Sequence, residues 1–520
     1  PFYKVYMESS IHIELGVNPL GGSYMLATIL NSINNFFWNI PFISFVLLVG
    51  LYFMIGSKFF SIIHFGHILN HTIFSATDIK KEKKAGTVSP FEAVCIAIGG
   101  SVGVGCIGGV ATAVATGGPG AVFWMWIWAF FGMMIKCVET SLSVHYRTKN
   151  ERGEYYGGST YFIEKGIGHQ MHHPKLGKYL AIAFGIGFVA QFLGGSQVYT
   201  IAEILNKSFG INMILVTLIY SAFLFYIIFK GVPRIAAFAT KIVPLMCVLV
   251  VIGGVIIIVI NYQAIPSTLY MIFHDAFTGT AATGGFAGAA VTKVIGDGLA
   301  RSMNANEAGQ GSAPFIYGSA NTIHPIRQGL WGSFDVFVNT IVVCSITALA
   351  VLTTGVWNSG ITGATLTITA FEHVFGQGGD IFLGIIALLF GITTTSGWFT
   401  YYVAVINHGF RCKPQLRDTL IKTLKFIYPL PNIIIVTSIV LTGNGPDTFW
   451  TIVNITLIAP IFTNLLALVI LRHKFWELLK DYKARYMGIG QIDPNFHVFY
   501  EDDPNVFAKE EALRKSIQNS

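Results

Sequence analysis

The stretch GGSVGVGCIGG, Gly99 to Gly109, sits inside an apolar window running from about residue 90 to 113. Such a window is long enough to cross a bilayer, which takes about 20 helical residues. Six of the eleven residues in the stretch are glycine, and each costs a helix interior roughly 1 kcal/mol relative to alanine. The segment is apolar enough to span a membrane and too rich in glycine to stay helical through its middle. Gly103, Gly105 and Gly108 also fit the G-x-G-x-x-G spacing of a dinucleotide loop. That loop needs a preceding strand and an acidic residue about 20 positions on, and an apolar membrane window supplies neither.

Working outward, the 520 residues are 53% hydrophobic and 11% charged, with a mean hydropathy of +0.61. An ordinary soluble domain carries about 25% charged residues, so the apolar excess must face lipid. Disorder, collagen, coiled coil and a disulfide-rich module are excluded. A transmembrane β-barrel would show weak alternation rather than long apolar runs. Cys95, Cys106, Cys137, Cys247, Cys344 and Cys412 form no close pair, which predicts small buried residues rather than disulfides or a CxxC site. Residues 1–34 lack a basic segment followed by a short apolar core, so no cleaved signal peptide is expected.

Eleven apolar windows are long enough to span, near 36–60, 90–113, 121–147, 179–205, 212–230, 236–261, 283–303, 329–354, 380–408, 425–442 and 447–472. Basic residues collect in every second connection. They are Lys80, Lys81, Lys83 and Lys84; Arg147, Lys149, Arg152, Lys165, Lys175 and Lys178; Lys230, Arg234 and Lys241; Arg301 and Arg327; Arg411, Lys413, Arg417, Lys422 and Lys425; then Arg472, Lys474 and Lys480 in the tail. The intervening connections hold only Lys207. Positive residues stay in the cytoplasm, so the expectation is an N-terminus outside, a cytoplasmic C-terminus and eleven crossings. The net charge of +7 then reports orientation rather than an acidic partner.

A second interruption is expected in the 283–303 window, which opens GTAATGGFAGAAV with Gly284, Gly285 and Gly288. With the 36–60 helix set aside, the two interrupted windows are the first and sixth of ten, at matching positions in two five-helix halves. Paired interruptions of this kind point to a transporter binding site, where freed backbone groups meet an anion and a cation. Close helix packing is the competing use of glycine in membranes. The implied division is an extracytoplasmic segment 1–35, an extra helix 36–60, a cytoplasmic loop 61–89, five-helix repeats 90–261 and 262–472, and a cytoplasmic tail 473–520. The fold class is all-α and polytopic, with an inverted 5+5 repeat.

Four strings are distinctive: Gly117–Arg147 (GGPGAVFWMWIWAFFGMMIKCVETSLSVHYR), Gly157–Gly166 (GGSTYFIEKG), the run from Gly284 through ARSMNANEAGQGSAP to Pro314, and His324–Val351 (HPIRQGLWGSFDVFVNTIVVCSITALAV). With TTTSGWFTYY from Thr393 to Tyr402, they resemble the alanine/glycine:cation symporter family, of the LeuT-type fold. The resemblance implies sodium-coupled uptake of a small neutral amino acid by a monomer in a prokaryotic inner membrane; a proton-coupled or uncoupled carrier of another small solute is the alternative, and a ligand-sensing membrane receptor a lesser one. No nucleophile–base set or metal-ligand spacing appears in the spans, so no enzyme activity is expected, and no nucleic-acid partner. The resemblance also bears on the site. It implies a substrate carboxylate on the amides of Val104 and Gly105, with Gln197, Gly284, Gly285, Phe286 and Trp398 around the substrate. It implies a cation among the Gly99 and Val102 carbonyls and the Thr393 and Thr394 hydroxyls. Val104 and Cys106 stand where the family has Thr and Asn, Gly194 where it has Asn, Asn339 where Asp is common, and Val403 where it has Glu. Cys106 is a poor ligand for a hard cation.

Other charged positions have plainer readings. Lys136 and Glu139 share a helix face at i,i+3 and are expected to neutralise each other. Lys293, Asp297 and Arg301 form one face of what reads as the inner half of the sixth core helix. Glu307 reads as a cap for a cytoplasmic loop. His169, His172 and His173 read as a solvated loop rather than a metal site. Thr393 and Thr394 can bond to carbonyls one turn back.

Overall fold

The computed structural model describes residues 28–30, 32–34, 36–37, 40–74, 88–149, 153–193, 196–278, 287–442 and 447–502. It is an assembly of helices with one two-stranded hairpin, Thr148–Lys149 against Tyr155–Tyr156. Helix α1 runs Ile40–Gly56. Helix α2, Pro90–Ser101, opens with a capping box. The Glu92 N–H donates to Ser89 Oγ at 3.2 Å, and the Ser89 N–H donates to Glu92 Oε2 at 2.9 Å. A 3-10 turn over Val104–Cys106 then leads into α3, Gly108–Gly117. The span bends by 56° at this break.

Helix α4 (Gly120–His145) follows. The 179–205 window is not one helix. It forms α5 (Pro174–Ala190), a 3-10 turn Gln191–Leu193, and α6 (Ser196–Phe209). Next come α7 (Met213–Ile228), α8 (Val232–Ile260), α9 (Ile265–Thr278) and α10 (Ala287–Asn306). Helix α11, Pro325–Val336, passes through a π-helical segment Phe337–Cys344 into α12, Ser345–Thr353. The rest are α13 (Gly363–Phe375), α14 (Gln377–Gly409), α15 (Pro414–Ile427), α16 (Leu430–Thr442), α17 (Asp447–Ile470) and α18 (Arg472–Met487).

Among the described residues, five helical stretches are long and apolar enough to cross a membrane, or seven if each bent pair counts as one span. Their buried faces are packed through glycine: a Cβ on Gly332 of α11 would lie 2.9 Å from the Lys136 carbonyl of α4. Helix α18 is not a free tail. Phe475, Leu478 and Tyr482 are buried, the Tyr482 hydroxyl meets His67 Nε2 at 3.0 Å, and Asp481 lies 3.2 Å from His324. His172 and His173 are exposed, in keeping with a solvated loop.

The second interruption expected at Gly284, Gly285 and Gly288 falls largely outside the described residues, and a further one lies beyond it. Gly284, Gly285 and Phe286 lie outside the described residues, and Gly288 lies within α10. Helix α10 ends at Asn306, and the chain unwinds through Glu307, Gly309 and Gly311, with φ of 55°, 86° and 75°. A short helix, Pro314–Tyr317, resumes beyond it. Three left-handed residues in five cannot continue a right-handed helix, and glycine accepts that conformation without a Cβ clash.

This moves the charged ladder. Asp297 Oδ2 accepts from Thr116 Oγ1 of α3 at 2.8 Å, and Arg301 lies beside Gly109 at the start of α3. Asp297 and Arg301 therefore sit beside α3, on the side of the first break away from Pro90, and Arg301 lies within α10 rather than in a connection.

Candidate functional site

The glycines of the first break divide into two kinds. A Cβ on Gly99 would lie 3.1 Å from Thr393 Cβ, and one on Gly100 2.6 Å from the Tyr401 hydroxyl. One on Gly103 would lie 2.9 Å from both Gln197 Oε1 and Thr394 Oγ1. These three are small because neighbours press on them. A Cβ on Gly105 would meet nothing within 4 Å. Its smallness serves open space, a cavity of about 460 Å³ lined by Gly103, Val104, Gly105, Gln197, Thr394, Trp398 and others.

The backbone here is only partly satisfied. The Gly103 N–H donates to the Ser101 carbonyl at 2.9 Å, and the Cys106 N–H to Gly103 at 3.0 Å. The Val104 N–H donates to Gln197 Oε1 at 3.1 Å, so Gln197 already occupies one of the two amides expected to hold a carboxylate. The Gly105 N–H has no hydrogen-bond partner among the described residues.

Below the break, Thr394 Oγ1 donates to the Gly99 carbonyl at 2.9 Å. Thr393 packs its Cβ on Gly99 but turns its hydroxyl to the Leu389 and Phe390 carbonyls of its own helix, both at 2.9 Å. Val102 is the residue at which α2 stops. Gly99, Thr393 and Thr394 thus come together between α2 and α14, with Val102 at the end of α2 three positions on. Their donors are oxygens, as a hard cation requires. The Thr393 hydroxyl would have to rotate away from its helix to join them.

Cys106 is buried and faces the scaffold. Its Sγ donates to Asn339 Oδ1 at 3.8 Å, and it does not line the cavity. Asn339 Nδ2 donates both to Ser101 Oγ at 3.2 Å and to the Ala305 carbonyl at 2.8 Å, joining the ends of the two broken helices.

Lys136 does not pair with Glu139. Its ammonium lies 3.6 Å from Asp335 Oδ2 and donates to the Asn306 carbonyl at 2.8 Å, with both ionic side chains fully buried. The i,i+3 face was shared, but the opposite charge came from α11. Asp335 also accepts from Ser101 Oγ at 3.2 Å and from the Tyr317 hydroxyl at 3.1 Å. Glu139 Oε2 accepts from Asn464 Nδ2 at 2.9 Å.

Glu307 holds its own loop, as expected, and also lines the cavity. Trp398 Nε1 donates to its Oε1 at 2.9 Å, and Ser312 Oγ donates to its Oε2. The Trp398 ring lies flat on Phe188, with centroids 5.4 Å apart. The signal available in the sequence was an ionisable residue in a glycine-rich segment between apolar windows, which is a functional position by default.

Comparisons with known proteins agree on one family. The profile of the sodium:alanine symporter family matches residues 23–496. A sodium/alanine symporter (AgcS) of Methanococcus maripaludis is 35% identical over 387 residues, covering 72% of this chain and 82% of that one. A probable sodium/glutamine symporter (GlnT) of Bacillus subtilis is 32% identical over 481 residues, covering 92% and 94%. Among solved structures, MhsT in complex with L-phenylalanine superposes with a TM-score of 0.51 at 14% identity, covering 76% of this chain and all of that one. A Na+-coupled sialic acid symporter gives 0.51 at 12% identity, covering 88% and 92%. At those identities the likeness speaks to the fold alone, which is that of the LeuT-type transporters.

Proposed function

The chain belongs to the sodium:alanine symporter family, and from that premise we propose that it carries a small neutral amino acid, of the alanine or glycine class, together with sodium by alternating access. The family is one of transporters rather than enzymes, and the chain is a multi-pass membrane protein. The relative named for glutamine makes that amide the alternative substrate.

In this reading the chain crosses a prokaryotic inner membrane eleven times as a monomer, with its N-terminus outside and its C-terminus in the cytoplasm. Residues 36–60 form an extra helix between an outer segment 1–35 and a cytoplasmic loop 61–89. Residues 90–261 and 262–472 form two inverted five-helix halves, and 473–520 form the cytoplasmic tail. The substrate carboxylate takes the Gly105 amide and competes with Gln197 for that of Val104. The ammonium faces the carbonyl end of α10, the negative end of its dipole. Trp398 bounds the side chain, and Gly284, Gly285 and Phe286 keep their proposed place at the substrate. Sodium takes the Gly99 and Val102 carbonyls with the Thr394 and Thr393 hydroxyls. Entry of one positive charge is favoured by about 2.3 kcal/mol per 100 mV.

The observation that carries this reading is the pairing of a free amide at Gly105 with the Thr394–Gly99 contact just below it. Purified protein in liposomes tests it: an imposed sodium gradient should accelerate uptake of labelled alanine. A second reading, proton coupling, is favoured by Glu307, a protonatable group on the cavity wall. Uptake driven by a proton gradient, indifferent to sodium and abolished in Glu307→Gln, would select it.

A further inference from the structure

The chain past α18 leaves as an exposed thread and returns as an anchor. Residues 488–495 are exposed and without regular structure, whereas Tyr500 is only 6% exposed. The thread is held partway along, where Arg485 Nη2 donates to the Asp493 carbonyl at 3.1 Å. Where it returns, its residues are engaged in succession. The Val498 carbonyl lies 2.7 Å from His145 Nδ1, the Tyr500 ring packs on that of Tyr146 with centroids 5.2 Å apart, and Glu501 Oε1 lies 3.2 Å from Lys165 Nζ. Residues 498–501 lie beyond the stretch that the family profile matches.

The surface they cover is a junction. The Arg147 guanidinium lies over the Tyr155 ring at 3.9 Å and over the Phe499 ring of the thread at 4.3 Å. Its Nη1 donates to the Ala320 carbonyl at 2.7 Å. Ala320 pairs with Val88, and the Asn321 N–H donates to the Val88 carbonyl at 2.8 Å. Val88 immediately precedes the Ser89 cap of α2, and Ala320 lies just past the short helix beyond the second break. One guanidinium, covered by Phe499, therefore ties the ends of both broken spans to the end of α4. Glu501 reaches the other way, to Lys165 in the segment that leads into α5. Lys165 itself donates to the Arg147 carbonyl at 3.3 Å. The thread thus bridges the broken spans and a neighbouring helix, and a swing of one away from the other pulls Phe499 off Arg147 or Glu501 off Lys165.

We propose that residues 498–501 are an autoinhibitory strap, which holds the ends of the two broken spans closed on this side and is shed when they part. The proposal rests on the transport reading, which supplies the motion and puts this side in the cytoplasm. An exposed thread opens at lower cost than a packed core, so the strap sets a rate without setting the fold.

The test uses the full chain in liposomes and in detergent at saturating sodium. In a Phe499→Ala, Tyr500→Ala double variant, uptake at saturating alanine should rise about threefold, because opening of a closed side often limits turnover. Two native thiols follow the opening, since Cys95 is buried in α2 and Cys412 is exposed. Maleimide labelling of Cys95 relative to Cys412 should rise about fivefold in the double variant, because the opened population is what reacts. Glu501→Gln keeps the aromatic anchors and should move both readouts the same way by less; it decides the matter if the double variant does not fold. A segment that only stabilises the fold would give slower uptake together with a lower melting temperature. That result, or a Cys95 as protected as in wild type, overturns the proposal. Failure of the transport reading is separable: wild type would then take up no labelled alanine under a sodium gradient, while the Cys95 ratio would still show whether the strap holds α2.

Discussion

The two interruptions are built in opposite ways. At 102–107 the backbone is held by few protein groups, the Gly105 amide is free, and the open face of Gly105 looks into the cavity. At 307–313 the scaffold grips the chain carbonyl by carbonyl. Lys136 holds that of Asn306, Asn464 that of Gly309, and Ser159 that of Gly311, at 2.8 to 2.9 Å. A freed backbone is not in itself a binding site. One break presents its polar groups to a ligand, and the other spends most of them on neighbours that fix its shape and keeps few for the cavity.

The strongest way to break that comparison is to loosen the gripped side. Lys136→Met leaves Asp335 charged, buried and unpaired, which should cost about 3–5 kcal/mol and lower the melting temperature in detergent. Lys136→Met with Asp335→Asn should recover much of it. If the single variant melts like wild type, the second break is not held as described.

A pair of alanines sharpens the open side. Gly103→Ala forces a Cβ to 2.9 Å from Gln197 and Thr394, an overpacking that typically costs about 1–3 kcal/mol, and should lower both stability and binding. Gly105→Ala enters open space, so its melting temperature should stay near wild type while substrate binding weakens. Equal effects of the two on stability would remove the distinction between the glycines.

The smallest effect belongs to Thr394→Ala. Loss of one hydroxyl contact to Gly99 should cost about 1 kcal/mol and diminish the sodium-dependent part of the thermal shift. An unaltered sodium response would take Thr394 out of the cation site.

The open break was legible in the sequence because its cause is local: six glycines in eleven residues disrupt a helix wherever it packs. The apolar windows were legible for the same reason, since each is a property of consecutive residues. The gripped break was not. NEAGQGSAP reads as a polar loop because the groups that bury it, Lys136, Ser159 and Asn464, lie more than 140 positions away in the chain in either direction. The partner of Lys136 was misread similarly: Glu139 is near in sequence, but Asp335 of another helix lies near in space. The split of the 179–205 window escaped because hydropathy averages over a short turn.

One consequence follows from Asn339. A single planar amide nitrogen holds Ser101 at the end of one half-helix and Ala305 near the end of the other. A swing of either arm alone would strand a buried N–H at about 1–3 kcal/mol. The cheaper trajectory carries both arms together, as the limbs of a wishbone joined at its crotch. Asn339 itself lies in the π-helical segment, a wound-down stretch of a kind that often accompanies function. The joint between the two broken helices is thus set where the scaffold helix itself departs from α-helical winding.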